Sequence, residues 1–144
     1  MTRSSRPPIL APPSERSTPA RLAARSLILD AAERDGLRVA VGERGHVLVS
    51  RDGGKVWAQV EVPTRALLTG VFLHDARLGW AVGHDETILR TRDGAATWER
   101  VRHAPDEEQP ILDVWFRDEK KGFAIGAYGL LLATEASLRE EVGA

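Results

Sequence analysis

From residue 26 onward the chain alternates short apolar runs with turns rich in glycine and charge. The first run of each repeat reads Leu27-Ile28-Leu29-Asp30-Ala31, Leu67-Leu68-Thr69-Gly70-Val71-Phe72 and Ile111-Leu112-Asp113-Val114-Trp115-Phe116. A charged turn follows each and closes on Gly36, Gly79 or Gly122. The second run is the clearest: Val39-Ala40-Val41-Gly42, Trp80-Ala81-Val82-Gly83 and Phe123-Ala124-Ile125-Gly126, with 41 and 43 residues between successive closing glycines. Large apolar residues on either side of a small one have the two-residue period of a strand, whose side chains alternate between faces. The alanine face is expected where a neighbour approaches closely, and the closing glycine is expected to supply a tight turn. A third run spans His46 to Ser50, Thr87 to Thr91 and Leu130 to Thr134, and a fourth lies around Val56 to Val62 and Thr97 to Val101.

A phrase between the third and fourth runs also repeats. Ser50-Arg51-Asp52-Gly53-Gly54-Lys55-Val56-Trp57 returns 41 residues later as Thr91-Arg92-Asp93-Gly94-Ala95-Ala96-Thr97-Trp98. Asp-Gly between apolar runs is a strong hairpin signal. Four short antiparallel strands in a repeat of about 40 residues make a β-propeller blade. The expected fold is therefore all-β: a partial β-propeller of nearly three four-stranded antiparallel blades. The blades run over about 26–63, 64–105 and 110–136, the last incomplete. Pro63, Pro105 and Pro110 fall between repeats, where no ladder hydrogen bond is lost.

The repeated phrase resembles the Asp-box, or BNR repeat: a hydroxyl residue, Asp, Gly and then Trp at fixed offsets. Ser50, Asp52, Gly53 and Trp57 match it, as do Thr91, Asp93, Gly94 and Trp98; Ala95 stands where glycine is common. Gly79-Trp80-Ala81-Val82-Gly83-His84 followed by an Asp-box is most similar to the photosystem II assembly and stability factor family. The resemblance covers about residues 26–134. It implies a propeller that docks other proteins during complex maturation; many bacterial relatives have no link to photosynthesis, and relatives are often exported to the periplasm or thylakoid lumen. One fold hosts many functions, so the resemblance is specific for fold and weaker for function. A third Asp-box is missing, since Thr134-Glu135-Ala136-Ser137-Leu138 stands in its place.

Composition alters the picture at the N-terminus. Residues 1–25 hold five arginines against a single acid, Glu15, and five of the chain's eight prolines. Such a stretch buries too little apolar surface to offset its ordering entropy, so it is expected to be a disordered tail. It has no continuous apolar core, so no signal peptide is read in it, and its prolines oppose the amphipathic helix of a transit peptide. The chain as a whole has 144 residues and a net charge of −1, with no basic excess to suggest nucleic acid. Without cysteine there are no disulfides or thiolate metal sites. No apolar run reaches the length of a membrane span.

Candidate chemistry is sparse. Asp52 and Asp93 are expected to fix their turns through backbone N–H groups rather than act as catalytic carboxylates or calcium ligands. Trp57 and Trp98 are expected to anchor packing between blades rather than stack on sugars. A sialidase-like glycoside hydrolase is the enzyme alternative. It needs a tyrosine nucleophile with a partner acid and an arginine cluster, and the sole tyrosine, Tyr128, falls in a turn equivalent to Arg44 and Asp85. His46, His74, His84 and His103 match neither a nucleophile elbow nor a zinc motif. Gly53-Gly54-Lys55 lacks the upstream glycine of a phosphate loop. No catalytic residue, metal or cofactor is expected.

One positional expectation concerns binding. In a meander, alternate turns lie on one face, so Glu43-Arg44, His84-Asp85 and Ala127-Tyr128 should share a face with the inter-blade loops at Thr64-Arg65 and Asp106-Glu107-Glu108. Arg44, Arg65, His84, Asp85 and Tyr128 are the candidate binding residues, for a protein partner. Nearly three blades fall short of the four to eight of a closed propeller. The chain thus reads as the first part of a longer propeller, a truncated product, or a unit that associates with other chains. The last sheet is expected to leave Leu130 to Thr134 as an unpaired edge prone to self-association, unless Ser137 to Val142 forms a capping helix.

Overall fold

The computed structural model describes residues 16–17, 26–107, 109–134 and 139–140. Its strands are β1 (Ile28–Arg34), β2 (Leu37–Gly42), β3 (Val47–Ser50), β4 (Ala58–Val60), β5 (Leu68–Leu73), β6 (Gly79–Gly83), β7 (Thr87–Thr91), β8 (Glu99–Arg102), β9 (Ile111–Phe116), β10 (Gly122–Gly126), β11 (Leu131–Thr134) and β12 (Arg139–Glu140). They form three antiparallel four-stranded sheets, β1–β4, β5–β8 and β9–β12, each a sequential meander. The innermost strands β1, β5 and β9 lie side by side and bond to one another through side chains. Asp30 on β1 accepts the Val71 N–H at 3.0 Å, and the Thr69 hydroxyl on β5 donates to the Ile111 carbonyl.

Strand alternation sorts the second run of each repeat between two interfaces. Val39 and Val41 face the second blade and join Val71, Ala81, Leu89 and Trp98 in one apolar cluster. Trp80 and Val82 face the third blade and join Val114, Phe116, Ala124 and Leu132 in another. The large residues thus point forward, and the central alanine points back to receive them. Ala81 and Ala124 have no exposed surface. Trp80 lies flat on Phe116, with ring centroids 3.7 Å apart and planes 7° apart. Burial of such aromatic and branched side chains is the main stabilising term of the stack.

The closing glycines have a different cause from the one expected. Gly42 and Gly126 are extended, with φ of −172° and −146°, so no left-handed turn requires them. A Cβ at Gly42, Gly83 or Gly126 would stand 1.9, 2.0 or 2.3 Å from the carbonyl oxygen of Leu27, Leu67 or Pro110. The same three carbonyls accept N–H bonds from Glu43, His84 and Ala127, the residues after each glycine. Glycine is needed because the entering chain presses against the end of the second strand.

Three other expectations change. The tight two-residue hairpin is at Asp35-Gly36, both at positive φ (52° and 86°), between the paired residues Arg34 and Leu37. The Asp-Gly pairs of the Asp-boxes instead lie in longer loops: β4 begins only at Ala58 and β8 at Glu99. The edge at β11 is paired, with Leu132 opposite Glu140 and Ala133 opposite Arg139. Arg139 and Glu140 are therefore strand and not part of a capping helix; the rest of 135–144 lies outside the described residues. Most of the expected tail also lies outside them, but Arg16 and Ser17 are seated on the first inter-blade linker, against the expectation of disorder there.

Candidate functional site

The two Asp-boxes share one hydrogen-bonding plan. The Ser50 hydroxyl donates to Asp52 Oδ1 at 2.9 Å, and Oδ1 also accepts the N–H groups of Lys55 and Val56 at 3.0 Å each. The Ser50 oxygen in turn accepts the Gly54 N–H at 2.9 Å. In the second box the Thr91 hydroxyl donates to Asp93 Oδ1 at 3.0 Å and accepts the Ala95 N–H at 2.9 Å. Asp93 accepts both the N–H and the hydroxyl of Thr97, at 2.9 and 2.5 Å. Each box holds its Trp through an indole N–H bond to the carbonyl of residue 54 or 95. All of these donors and acceptors lie within the loop, so each Asp serves the turn that carries it.

The carboxylates respond accordingly. Asp52 is held below the usual carboxylate range, first by the Val56 N–H and then by the Ser50 hydroxyl. For Asp93 burial is the largest influence and pushes upward, but the hydroxyl and N–H of Thr97 and the Thr91 hydroxyl outweigh it and the net direction is down. Hydrogen bonds to the charged form favour that form, so neither group is poised as a general acid near neutrality.

The tryptophans separate. Trp98 is 8 % exposed, packed between the first and second blades. Trp57 is 36 % exposed, because the side of the first sheet that carries it faces no other described blade. Trp98 thus occupies a packed position between two described blades, and Trp57 does not. Ala95 occupies the second box's glycine position with φ of 72° and is fully buried beside Trp98.

The candidate binding residues sit where turns and linkers meet. Gly45 N–H donates to the Ala66 carbonyl at 3.0 Å, tying the Arg44 turn to the linker that carries Arg65. Glu86 N–H donates to the Gln109 carbonyl at 3.0 Å, and Ala104 N–H to the Asp85 carbonyl at 2.8 Å. Arg44, Asp85 and Tyr128 have φ between 57° and 59°, the same left-handed step at the same point of each turn. Arg44, Arg65 and His84 are exposed, Asp85 is half-buried, and Tyr128 is 86 % exposed. Glu108 lies outside the described residues.

Sequence reasoning passed over one pair on this side of the molecule. Glu86, 2 % exposed, accepts two bonds on Oε1 from Arg102 Nε and Nη2, at 3.1 and 2.6 Å. The other blades have Gly45 and Gly129 at this place, with φ of 72° and 79°, whereas Glu86 is at 50°. The signal in the sequence was a Glu where the repeat calls for Gly. Asp75 and Asp118 are a second omission. Each caps the turn after the first strand by accepting two N–H groups, from Arg77 and Leu78 or from Lys120 and Lys121.

Known proteins match this chain along the same repeats. A family model described as photosynthesis system II assembly factor YCF48 matches residues 49–136. The chain is 32% identical over 91 residues to the chloroplastic photosystem II stability/assembly factor HCF136 of Arabidopsis thaliana, covering 61% of this chain and 23% of that protein. It is 40% identical over 43 residues to the photosystem II assembly protein Ycf48 of Thermosynechococcus vestitus, covering 30% and 12%. A solved structure of YCF48 bound to D1 peptide superposes with a TM-score of 0.68 at 21% identity, over 78% of this chain and 39% of that one. YCF48 from Cyanidioschyzon merolae gives 0.67 at 23% identity, over 80% and 37%. These two likenesses establish the propeller-type fold. The chain spans about a quarter or less of those curated relatives and under two fifths of the solved structures.

Proposed function

The chain belongs to the family of photosystem II assembly factors represented by Ycf48, and on that premise we propose that it is a non-catalytic docking module whose turn-and-linker face holds a segment of another protein. The observation that carries this reading is the repeated bonding of turn to linker, at Gly45–Ala66 and Glu86–Gln109. We take this bonding to hold exposed side chains of successive blades on one surface, which suits recognition by preorganised loops. Arg44 and Tyr128 are of the residue types that dominate binding energy when an interface closes over them. The relatives are named as assembly factors, not enzymes, and one of them has been solved with a D1 peptide bound. Both Asp-box carboxylates accept bonds from their own loops, which favours the docking reading over a catalytic use of Asp52 and Asp93.

The test is fluorescence anisotropy of a labelled D1 peptide titrated with the full chain. Saturable binding is expected, weakened about tenfold by Arg44→Ala or Tyr128→Ala, the scale of one interface anchor. Binding that ignores both substitutions, or no binding at all, rejects this face as the docking surface for that peptide.

A further inference from the structure

Arg16 and Ser17 precede the first blade, yet they sit on the linker that leaves it. Ser17 N–H donates to the Val62 carbonyl at 2.7 Å, and Val62 N–H donates back to Ser17 Oγ at 3.0 Å. Arg16 Nη1 reaches Glu61 Oε2 at 3.1 Å, and Arg65 Nε donates to the Arg16 carbonyl at 3.0 Å. Ser17 is 4 % exposed and Val62 1 %. The floor of this seat is Gly45, where a Cβ would collide with the Thr64 carbonyl and stand 3.1 Å from Ser17 Cβ.

The second linker is built differently. There His103 Nδ1, one repeat after Val62, hydrogen-bonds the Thr87 hydroxyl, and the linker closes on its own turn through Ala104 and Gln109. The first linker is closed by a segment from elsewhere in the chain. The contacts are those of a bound peptide segment: both backbone groups of Val62 are met by Ser17, a cation finds a carboxylate, and a carbonyl accepts from a guanidinium. The fit is incomplete, since Arg16 Nε is buried without a hydrogen-bond partner among the described residues. An orphaned donor of this kind lowers the cost of exchanging the occupant.

We propose that Glu61, Val62 and Arg65, floored by Gly45, form a binding site for a short peptide with a basic residue followed by a small hydroxyl residue, and that Arg16-Ser17 fills it in cis as a releasable strap. While the strap is seated, Arg65 is engaged and the Gly45 end of the face is covered. A partner segment of the same chemistry has to displace it against an effective local concentration of about millimolar, the scale for a short tether. The site stands on these contacts alone and does not depend on the D1 peptide reading.

Hydrogen exchange at the Val62 amide tests it in the full chain. The double variant Arg16→Glu/Ser17→Ala places a carboxylate against Glu61 and removes the hydroxyl acceptor. Val62 exchange is expected to rise about tenfold, the equivalent of one net hydrogen bond. A synthetic peptide carrying native residues 12–21, added at millimolar concentration, is expected to restore protection; the same peptide with Glu and Ala in place of Arg and Ser is expected not to. The single variant Arg16→Gln, which keeps the serine bonds, should show the same order with a smaller change and guards against misfolding of the double variant. Unchanged Val62 exchange in both variants overturns the strap, and a rise that the native peptide does not reverse overturns the binding site.

Discussion

The carbonyl oxygen of Leu67 lies 2.0 Å from where the first side-chain carbon of residue 83 would stand, so Gly83 is the only residue that fits there. The neighbouring atom is backbone at the start of β5 and cannot swing aside. Gly83→Ala is therefore expected to destabilise the chain by about 3 kcal/mol, the upper end for forced overpacking. Denaturant unfolding of the variant checks it; a loss under about 1 kcal/mol would mean that the inner strand shifts more easily than this geometry allows.

The two Asp-box tryptophans should differ. Trp98→Ala empties a site between two blades and is expected to cost about 3–5 kcal/mol. Trp57→Ala removes a side chain more than a third exposed and should cost about 1 kcal/mol or less. Equal losses in thermal or denaturant unfolding would show that Trp57 is covered in solution.

Acid should weaken the turns. Asp52, Asp75, Asp93 and Asp118 all have carboxyl groups held below the ordinary value of 3.8. A depressed folded-state value means the stabilisation is fully present above the unfolded value, and is lost as pH falls from there through the lowered folded values. Stability measured by urea unfolding is expected to decline below about pH 4. The decline should be shallower when Asp75 and Asp118 are replaced by Asn. An unaltered slope in that double variant would assign the acid sensitivity to other groups.

Arg102→Met leaves the Glu86 carboxylate buried without its cation and is expected to cost about 2–3 kcal/mol. Glu86→Gly should cost less, because it also relieves a left-handed backbone that Gly45 and Gly129 adopt freely in the other blades. The reverse ranking in unfolding experiments would place the strain elsewhere.

The forward face of the third blade leaves Trp115, Phe123 and Ile125 between 42 and 46 % exposed, with Phe123 paired to Trp115 across the strands. An apolar sheet face of this kind favours association. The purified chain is expected to self-associate in light scattering through this face rather than through the paired edge at β11. Phe123→Glu should shift it toward monomer, and a wild-type monomer at high concentration refutes the expectation.

The sequence by itself determined the repeat, the strand order within each blade and the Asp-box turns. These depend on neighbours along the chain: Ser50, Asp52 and Val56 satisfy one another within seven residues, and Val39-Ala40-Val41 alternates wherever it is placed. What only the tertiary structure decided was which copy of a repeated residue is buried and which residues from distant positions meet. Trp57 and Trp98 are the same letter in the same phrase, but among the described residues only Trp98 has a blade on its side. Gly83 reads as a turn residue until the Leu67 carbonyl is brought against it. Ser17 belongs by composition to a tail, and its place on Val62 comes from one backbone bond and one hydroxyl bond to a residue 45 positions away, a pairing with no mark in the sequence. Local hydrogen bonding and period are written in adjacent residues, whereas burial and close approach are properties of the assembled stack.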